Sequence, residues 1–302
     1  MTGTSTSVEV GGRRLALTNL NKILYPAHGF TKGELIDYYA RIAPVLLPHV
    51  RDRPASFQRF PNGVDATGFF AKNAPAGTPD WVKTVRLPVP GSTKNREEID
   101  YVLICDLPDL VWLANLAAIE LHVPQWKVGP RGKVHGSDLV VFDLDPGAPA
   151  SITECCEVAL RLREELAADG LDAYPKTSGS KGMQLYAPIK PAPGEATSEY
   201  AKGLAERLER ADPELIVSKM RRTLRPGKVF IDWSQNNPAK TTVAPYSVRA
   251  RAEPTVSTPL TWDEVEAAEG LRFTTEDVLT RVGELGDLFE PLLDPHRPKL
   301  PS

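Results

Sequence analysis

The run Asp138-Leu-Val-Val-Phe-Asp-Leu-Asp-Pro-Gly147 constrains this chain more than any other stretch. Apart from its acids it is apolar, rich in β-branched and aromatic residues, and closed by Pro-Gly. That composition predicts a buried strand ended by a turn. Side chains alternate along a strand, so Asp143 and Asp145 share one face, about 6–7 Å apart at the backbone. Two carboxylates so close, at the mouth of an apolar strand, repel each other and are costly to desolvate. A divalent cation removes both costs, and oxygen ligands of this kind suit Mg²⁺ or Mn²⁺, the metals of phosphoryl transfer. Asp145 before Pro-Gly is also ordinary turn chemistry. Asp143, two residues further inside the apolar run, is not explained that way. D-x-D is a short pattern, so it needs a third acidic ligand and a phosphate-binding element beside it.

The third acid is Asp232, in Lys228-Val-Phe-Ile-Asp-Trp233, again a short apolar strand with one acid at its end. Its plain alternative is to cap the following turn. Two neighbouring strands would gather Asp143, Asp145 and Asp232 around two metals about 3.5–4 Å apart, a clamp for in-line nucleotidyl transfer. Between the strands lies Lys176-Thr-Ser-Gly-Ser-Lys-Gly182. It is not a Walker A sequence, because Lys181 is followed by Gly rather than Ser or Thr. Met183-Gln-Leu-Tyr-Ala-Pro-Ile189 then alternates like a strand, so the loop joins two strands and opens no helix. Its small residues leave backbone N–H groups for an anion nest, with Ser178 and Ser180 adding hydroxyls and Lys181 a point charge. A plain Gly-Ser turn with a solvated lysine is the alternative.

In order, VFDLDPG, TSGSKGMQLYAP and KVFIDWSQNNPAKTTVAPYSVRAR resemble the polymerase domain of bacterial ligase D, in the archaeo-eukaryotic primase superfamily. TNLNKILYP, RPASFQRFPNGVD with the FFAKN that follows it, and ELHVPQW are similar too. The resemblance runs from about residue 17 to 293. It implies an α/β (α+β) fold of mixed sheets flanked by helices, with residues 1–302 as one catalytic domain. It also implies a polymerase of non-homologous end joining that prefers ribonucleotides and works well with Mn²⁺.

By the same resemblance, His122, Ser178, Gly179, Ser180, Lys181, Gln235 and Arg249 fall on the incoming nucleotide. Phe69 and Phe70, by default core aromatics, would stack on template bases. Lys22 and Lys32, by default solvated lysines, would grip a downstream 5′-phosphate, and Arg225 belongs to a mobile loop before the third aspartate. The implied partners are DNA with a gap or broken end, Ku and a separate DNA ligase. Ser56-Phe-Gln-Arg59 carries less positive charge than the family's matching stretch, and residues 87–100 differ from its end-pairing loop. No K-x-D-G adenylation motif is present, and neither a ligase nor a phosphoesterase domain is expected.

Net charge is −3, which does not advertise nucleic-acid binding; its distribution matters more. Lys219, Arg221, Arg222, Arg225 and Lys228 crowd the approach to Asp232, and Lys240, Arg249 and Arg251 follow it. A charge run is usually a solvated face, but beside three acids it reads as a phosphate track. Three cysteines (Cys105, Cys155, Cys156), with no C-x-x-C, argue against zinc and disulfides and for a reducing cytoplasm. No run approaches the length of a membrane span, and no signal pattern opens the chain.

Capping boxes Thr31-Lys-Gly-Glu34 and Ser151-Ile-Thr-Glu154 predict helices, the second ending near Gly170. A helix is expected over Trp112–Leu121, closed by His122-Val-Pro124, and others over 199–211, from Thr261 and over 275–293. Residues 87–100 read as a polar loop and 294–302 as a frayed end. The expected chemistry is metal-dependent nucleotide addition to a primer 3′-OH at gaps or breaks. Its alternatives are a primase that starts chains de novo and a DNA-end-binding scaffold without catalysis.

Overall fold

The computed structural model describes residues 5–88 and 97–301. The aspartate run forms the strand Val134–Pro146, central in a six-stranded sheet. Met183–Ala192 flanks it on one side and Val229–Asp232 on the other, both antiparallel. Tyr174–Thr177 extends the sheet beyond the first neighbour, and Ile216–Val217 runs parallel to the second. Trp126–Val128 pairs with the start of the central strand. Val140, Phe142 and Leu144 project into a core with helices Ile152–Ala168 and Gly194–Ala211. Leu139 and Val141, on the opposite face, meet Tyr186 and Phe289. This strand is therefore buried on both faces, which is why it reads as a continuous apolar run rather than an alternation. Asp143 and Asp145 continue the second face to where it opens to solvent.

A second six-stranded sheet has the order Thr242–Val243, Ala118–Val123, Pro54–Arg59, Glu98–Leu103, Thr84–Pro88. Phe69–Ala71 pairs with the outer half of Pro54–Arg59. Helices Lys32–Val50 and Leu107–Asn115 close its core around Phe57, Leu121, Ile42 and Leu113. The Thr31 and Ser151 boxes cap helices as expected, and the helix expected from Thr261 is opened by a capping box of Thr261 and Glu264.

The helix expected over 112–121 is corrected. It spans Leu107–Asn115, opened by a capping box of Asp106 and Asp109 with proline in its first turn. Ala117 then takes φ 56°, and Ala118–Val123 is a strand. His122 thus lies on a strand and not at a helix end. The helix expected from 199 starts at Gly194 behind Pro193. The C-terminal helix Thr275–Leu285 stops at Gly286, and only a short 3₁₀ turn, Glu290–Leu293, follows.

The expected loop 87–100 is a hairpin at both its ends, with Pro88 opposite Glu98; its residues 89–96 lie outside the described residues. The expected frayed end is also corrected. Arg297 donates to the buried Asp138, Pro298 accepts from the amide of Lys190, and Leu300 packs on the core of the first sheet.

Candidate active site

Register places Asp143 directly opposite Asp232, with Asp145 two residues on along the same face. Asp143 is half-buried and Asp145 exposed. Burial, then repulsion from Asp145, pushes the Asp143 carboxyl up to about 7, although an amide hydrogen bond from Gln184 opposes this. Burial and Asp232 raise Asp145 as well, while Arg225 and Arg249 pull it back. Asp232 is engaged on both oxygens: Ser234 donates to one, Gln235 to the other, and Lys240 lies 3.8 Å away.

Three hard oxygen donors, two of them (Asp143 and Asp145) held above the usual carboxylate range by burial and by their acidic neighbours, fit a divalent cation by their chemistry. As the side chains stand, no three His, Cys, Asp or Glu groups among the described residues are arranged to hold one. Gln184, Ser234 and Gln235 occupy the oxygens that a metal would take.

The acids open into a cleft of about 530 Å³ between the two sheets. Its walls include His122, Asp143, Asp145, Ser178, Ser180, Lys181, Arg225, Gln235 and Arg249, and also Arg222 and Arg251. The phosphate-loop candidate joins strands Tyr174–Thr177 and Met183–Ala192, as the pattern required. Gly182 passes so close to the aspartate strand that a Cβ there would lie 2.0 Å from the Leu144 carbonyl. Gly179 takes φ 65° and is walled by Arg249 and the 256–257 backbone. The nest expectation needs one correction: Ser178 Oγ already accepts from the amides of Ser180 and Gly182, so those two donors are not free for an anion.

The basic run divides. Arg222 and Arg225 face the cleft, whereas Lys219 pairs with Glu209 and Lys228 bonds the Pro213 carbonyl. Arg225 stacks 3.6 Å over Phe230, and its buried Nε has no partner.

The sequence matches the family described as LigD, primase-polymerase domain, over residues 31–289. The chain belongs to this family. It is 43% identical over 282 residues to the multifunctional non-homologous end joining protein LigD of Mycolicibacterium smegmatis, a match covering 92% of this chain and 36% of that protein. It is 32% identical over 280 residues to the bifunctional non-homologous end joining protein LigD of Bacillus subtilis, covering 91% and 44%. It is also similar to the solved polymerase domain from Mycobacterium tuberculosis ligase D in complex with DNA. There the TM-score is 0.88 and identity 43%, over 93% of this chain and 98% of that one. The chain spans less than half the length of these two curated relatives. Its α+β architecture is that of the LigD primase-polymerase domain, and its enzyme class is nucleotidyltransferase.

Other expected LigD-type positions lie outside the cleft walls. Phe69 and Phe70 are 48% and 38% exposed, so they are not the core aromatics that a default assignment makes them. Phe70 meets the ring of His122 edge-on, with centroids 5.5 Å apart. Lys22 is exposed and bonds Asn62. Lys32 departs from the solvated-lysine reading. It is 4% exposed, and its Nζ donates to Thr18 Oγ1 and to both the carbonyl and side-chain oxygens of Asn115. Burial, then Lys22, lowers it to about 8.

Three residues were missed in the sequence. Glu120 is a buried carboxylate between His122 and Arg249. Lys176, fully buried, donates to Ser257. Gln184 holds Asp143. Only Glu120 left a signal, as an acid at strand spacing before His122; the partners of the other two come from distant segments.

Proposed function

We propose that this protein is a metal-dependent polymerase that adds nucleotides, ribonucleotides by preference, to a primer 3′-OH at gaps or broken ends of DNA. The observation that carries this is the meeting of Asp143 with Asp232 across two strands, beside a cleft walled by Lys181, His122 and Arg249. Asp143 and Asp145 would hold two Mn²⁺ or Mg²⁺ ions, with Asp232 sharing the one nearer the primer end. When bound, such ions activate the 3′-hydroxyl and neutralise the triphosphate.

The remaining work belongs to the chain. Lys181 and Arg249 give the phosphates fixed positive charge, and His122 adds a ring nitrogen, in a partly water-excluded cleft where each contact is stronger than in water. The loop hydroxyls of Ser178 and Ser180, the backbone at Gly179, and Gln235 complete the nucleotide side. The exposed faces of Phe69 and Phe70 offer stacking surfaces to template bases, and stacking is sequence-tolerant. Lys22 and Lys32 would meet a downstream 5′-phosphate, and Arg225 the DNA near Asp145.

The names of the relatives support a place in non-homologous end joining. Gap repair, Ku and a separate ligase as partners, and a cytoplasmic location are proposed beyond what those names support. The deciding experiment is primer extension on gapped DNA with each metal and with ribo- or deoxynucleotides. Extension that depends on metal and on Asp143 supports the proposal. Products made only without a primer would favour de novo priming. DNA binding with no incorporation under any metal would favour a scaffold.

A further inference from the structure

Glu120 sits on the strand Ala118–Val123, two residues before His122 and therefore on the same face. It is 3% exposed, and both its oxygens are committed. Oε1 accepts from the amide of Ala250 at 2.9 Å and lies 3.1 Å from Arg249 Nε. Oε2 lies 2.9 Å from His122 Nε2. Arg249 in turn reaches the Ser178 carbonyl at the phosphate-binding loop. One buried carboxylate thus ties together the histidine and the arginine that stand opposite the acids.

This arrangement fixes the histidine tautomer. Burial pushes Glu120 up, but the His122 bond and the Arg249 charge outweigh it and hold the carboxyl at about 2. Glu120 is therefore ionised and can only accept, so Nε2 of His122 carries the proton. The ring then has only Nδ1 to offer the cleft. A neutral ring would present a lone pair there, which repels a phosphate oxygen.

We propose that Glu120 is a positioning residue that couples nucleotide binding to proton uptake: by holding Nε2–H of His122, it makes the ring meet a phosphate through Nδ1, as an imidazolium. The proton comes from solvent onto Nδ1, and the Nε2–H bond to Glu120 is kept. This inference rests on the nucleotide reading of the cleft.

The charged groups facing His122 are Glu120 from its own strand, Arg249 from the 249–251 turn and Lys176 from the edge strand Tyr174–Thr177. Burial presses the ring below the ordinary histidine value. Glu120 opposes this, and Arg249 and Lys176 add to it. At neutral pH the free ring is mostly neutral, and triphosphate binding must charge it. Without Glu120 the charged ring would lose its counter-ion while keeping both cationic neighbours.

The test measures nucleotide affinity of the full chain from pH 6 to 9. It uses Mg²⁺ and a saturating primer-template ended by a 3′-deoxynucleotide, so that no chemistry follows. Wild-type affinity should fall by up to tenfold per pH unit on the alkaline side, beyond the ionisation of the nucleotide itself. His122→Gln keeps a donor to Glu120 but cannot take a second proton, and should lose that extra slope. Glu120→Gln should move the midpoint down by about one pH unit and weaken binding about tenfold near pH 7.5, with DNA affinity unchanged.

Calorimetry of the wild type in two buffers of different ionisation enthalpy counts the proton directly, so the inference stays testable if Glu120→Gln misfolds. An unchanged pH profile in Glu120→Gln, an extra slope retained in His122→Gln, or no proton uptake by a wild type that binds nucleotide would overturn it. A wild type that binds no nucleotide at any pH would instead overturn the nucleotide reading of the cleft.

Discussion

Asp143 and Asp232 are cross-strand partners, Asp232 as the last residue of its strand and Asp143 three residues before the end of its own. Burial, and then repulsion from Asp145 and Asp232, holds the Asp143 carboxyl at about 7. Its folded value lies above the unfolded value of about 3.8, so the unfolded chain loses this proton first as pH rises. The metal-free protein should therefore lose stability between about pH 4 and pH 7, by up to a few kcal/mol. Asp143→Asn should abolish nucleotide addition yet melt several degrees higher than wild type at pH 8 in chelator. That gain should vanish near pH 4. Thermal melts across pH check it, and an unchanged or lower melting temperature at pH 8 would remove the repulsion from the account.

Lys181 is exposed at the tip of the loop, and its neighbour Gly182 packs on the aspartate strand. The loop is thus anchored at its base and free at its charge. Lys181→Ala should leave folding unaltered and weaken nucleotide binding about tenfold, the magnitude of one charge-assisted contact. Single-turnover addition on a saturating primer-template reads this directly. Loss of DNA binding with nucleotide affinity intact would move Lys181 to the DNA side.

The acids and the loop were legible because their strands are local: apolar runs of fixed period, broken by Pro-Gly or Gly-Ser, carry their own ends. Where the sequence misled, tertiary pairing decided. Trp112-Leu-Ala-Asn-Leu-Ala-Ala-Ile-Glu-Leu121 has helical composition throughout. Yet the left-handed Ala117 turns its second half into the strand that carries Glu120 and His122. The Asp106–Asp109 capping box marked the true helix start and is visible in the sequence. Lys32 gave no such sign, since its three oxygen partners come from Thr18 and Asn115, both distant in sequence.

The C-terminal residues illustrate the same point and give a prediction. Arg297 Nη1 donates to the carbonyl and carboxylate of Asp138, which Arg53 also binds from the other sheet. Asp138 is buried at the start of the aspartate run. Arg297→Ala should destabilise the protein by about 1–3 kcal/mol, because it removes charged hydrogen bonds from a buried carboxylate. Arg53 remains, so the loss should fall short of an orphaned buried charge. Chemical denaturation with an unchanged midpoint would mean that these residues are loosely held in solution.

Lys22 and Lys32 frame the last prediction. The two ammonium groups are close enough that Lys22 helps to lower Lys32 to about 8, after burial. A terminal phosphate dianion placed between them would relieve that repulsion and gain more than an internal phosphate, because it carries extra charge. A gapped duplex should therefore bind better with a downstream 5′-phosphate, by roughly tenfold at low salt. The preference should shrink as salt rises. It should also fade as pH rises past about 8, where Lys32 in the free protein gives up its proton. Lys22→Ala is the cleaner variant, since Lys22 makes one exposed bond to Asn62. Lys32→Ala would also strip three hydrogen bonds that tie the start of its helix to Thr18 and Asn115. Fluorescence anisotropy with phosphorylated and unphosphorylated gaps, at pH 7 and pH 9, measures all of this. Equal binding of both gaps by the wild type at pH 7 and low salt would leave Lys22 as a solvated surface charge and Lys32 as a buried structural one.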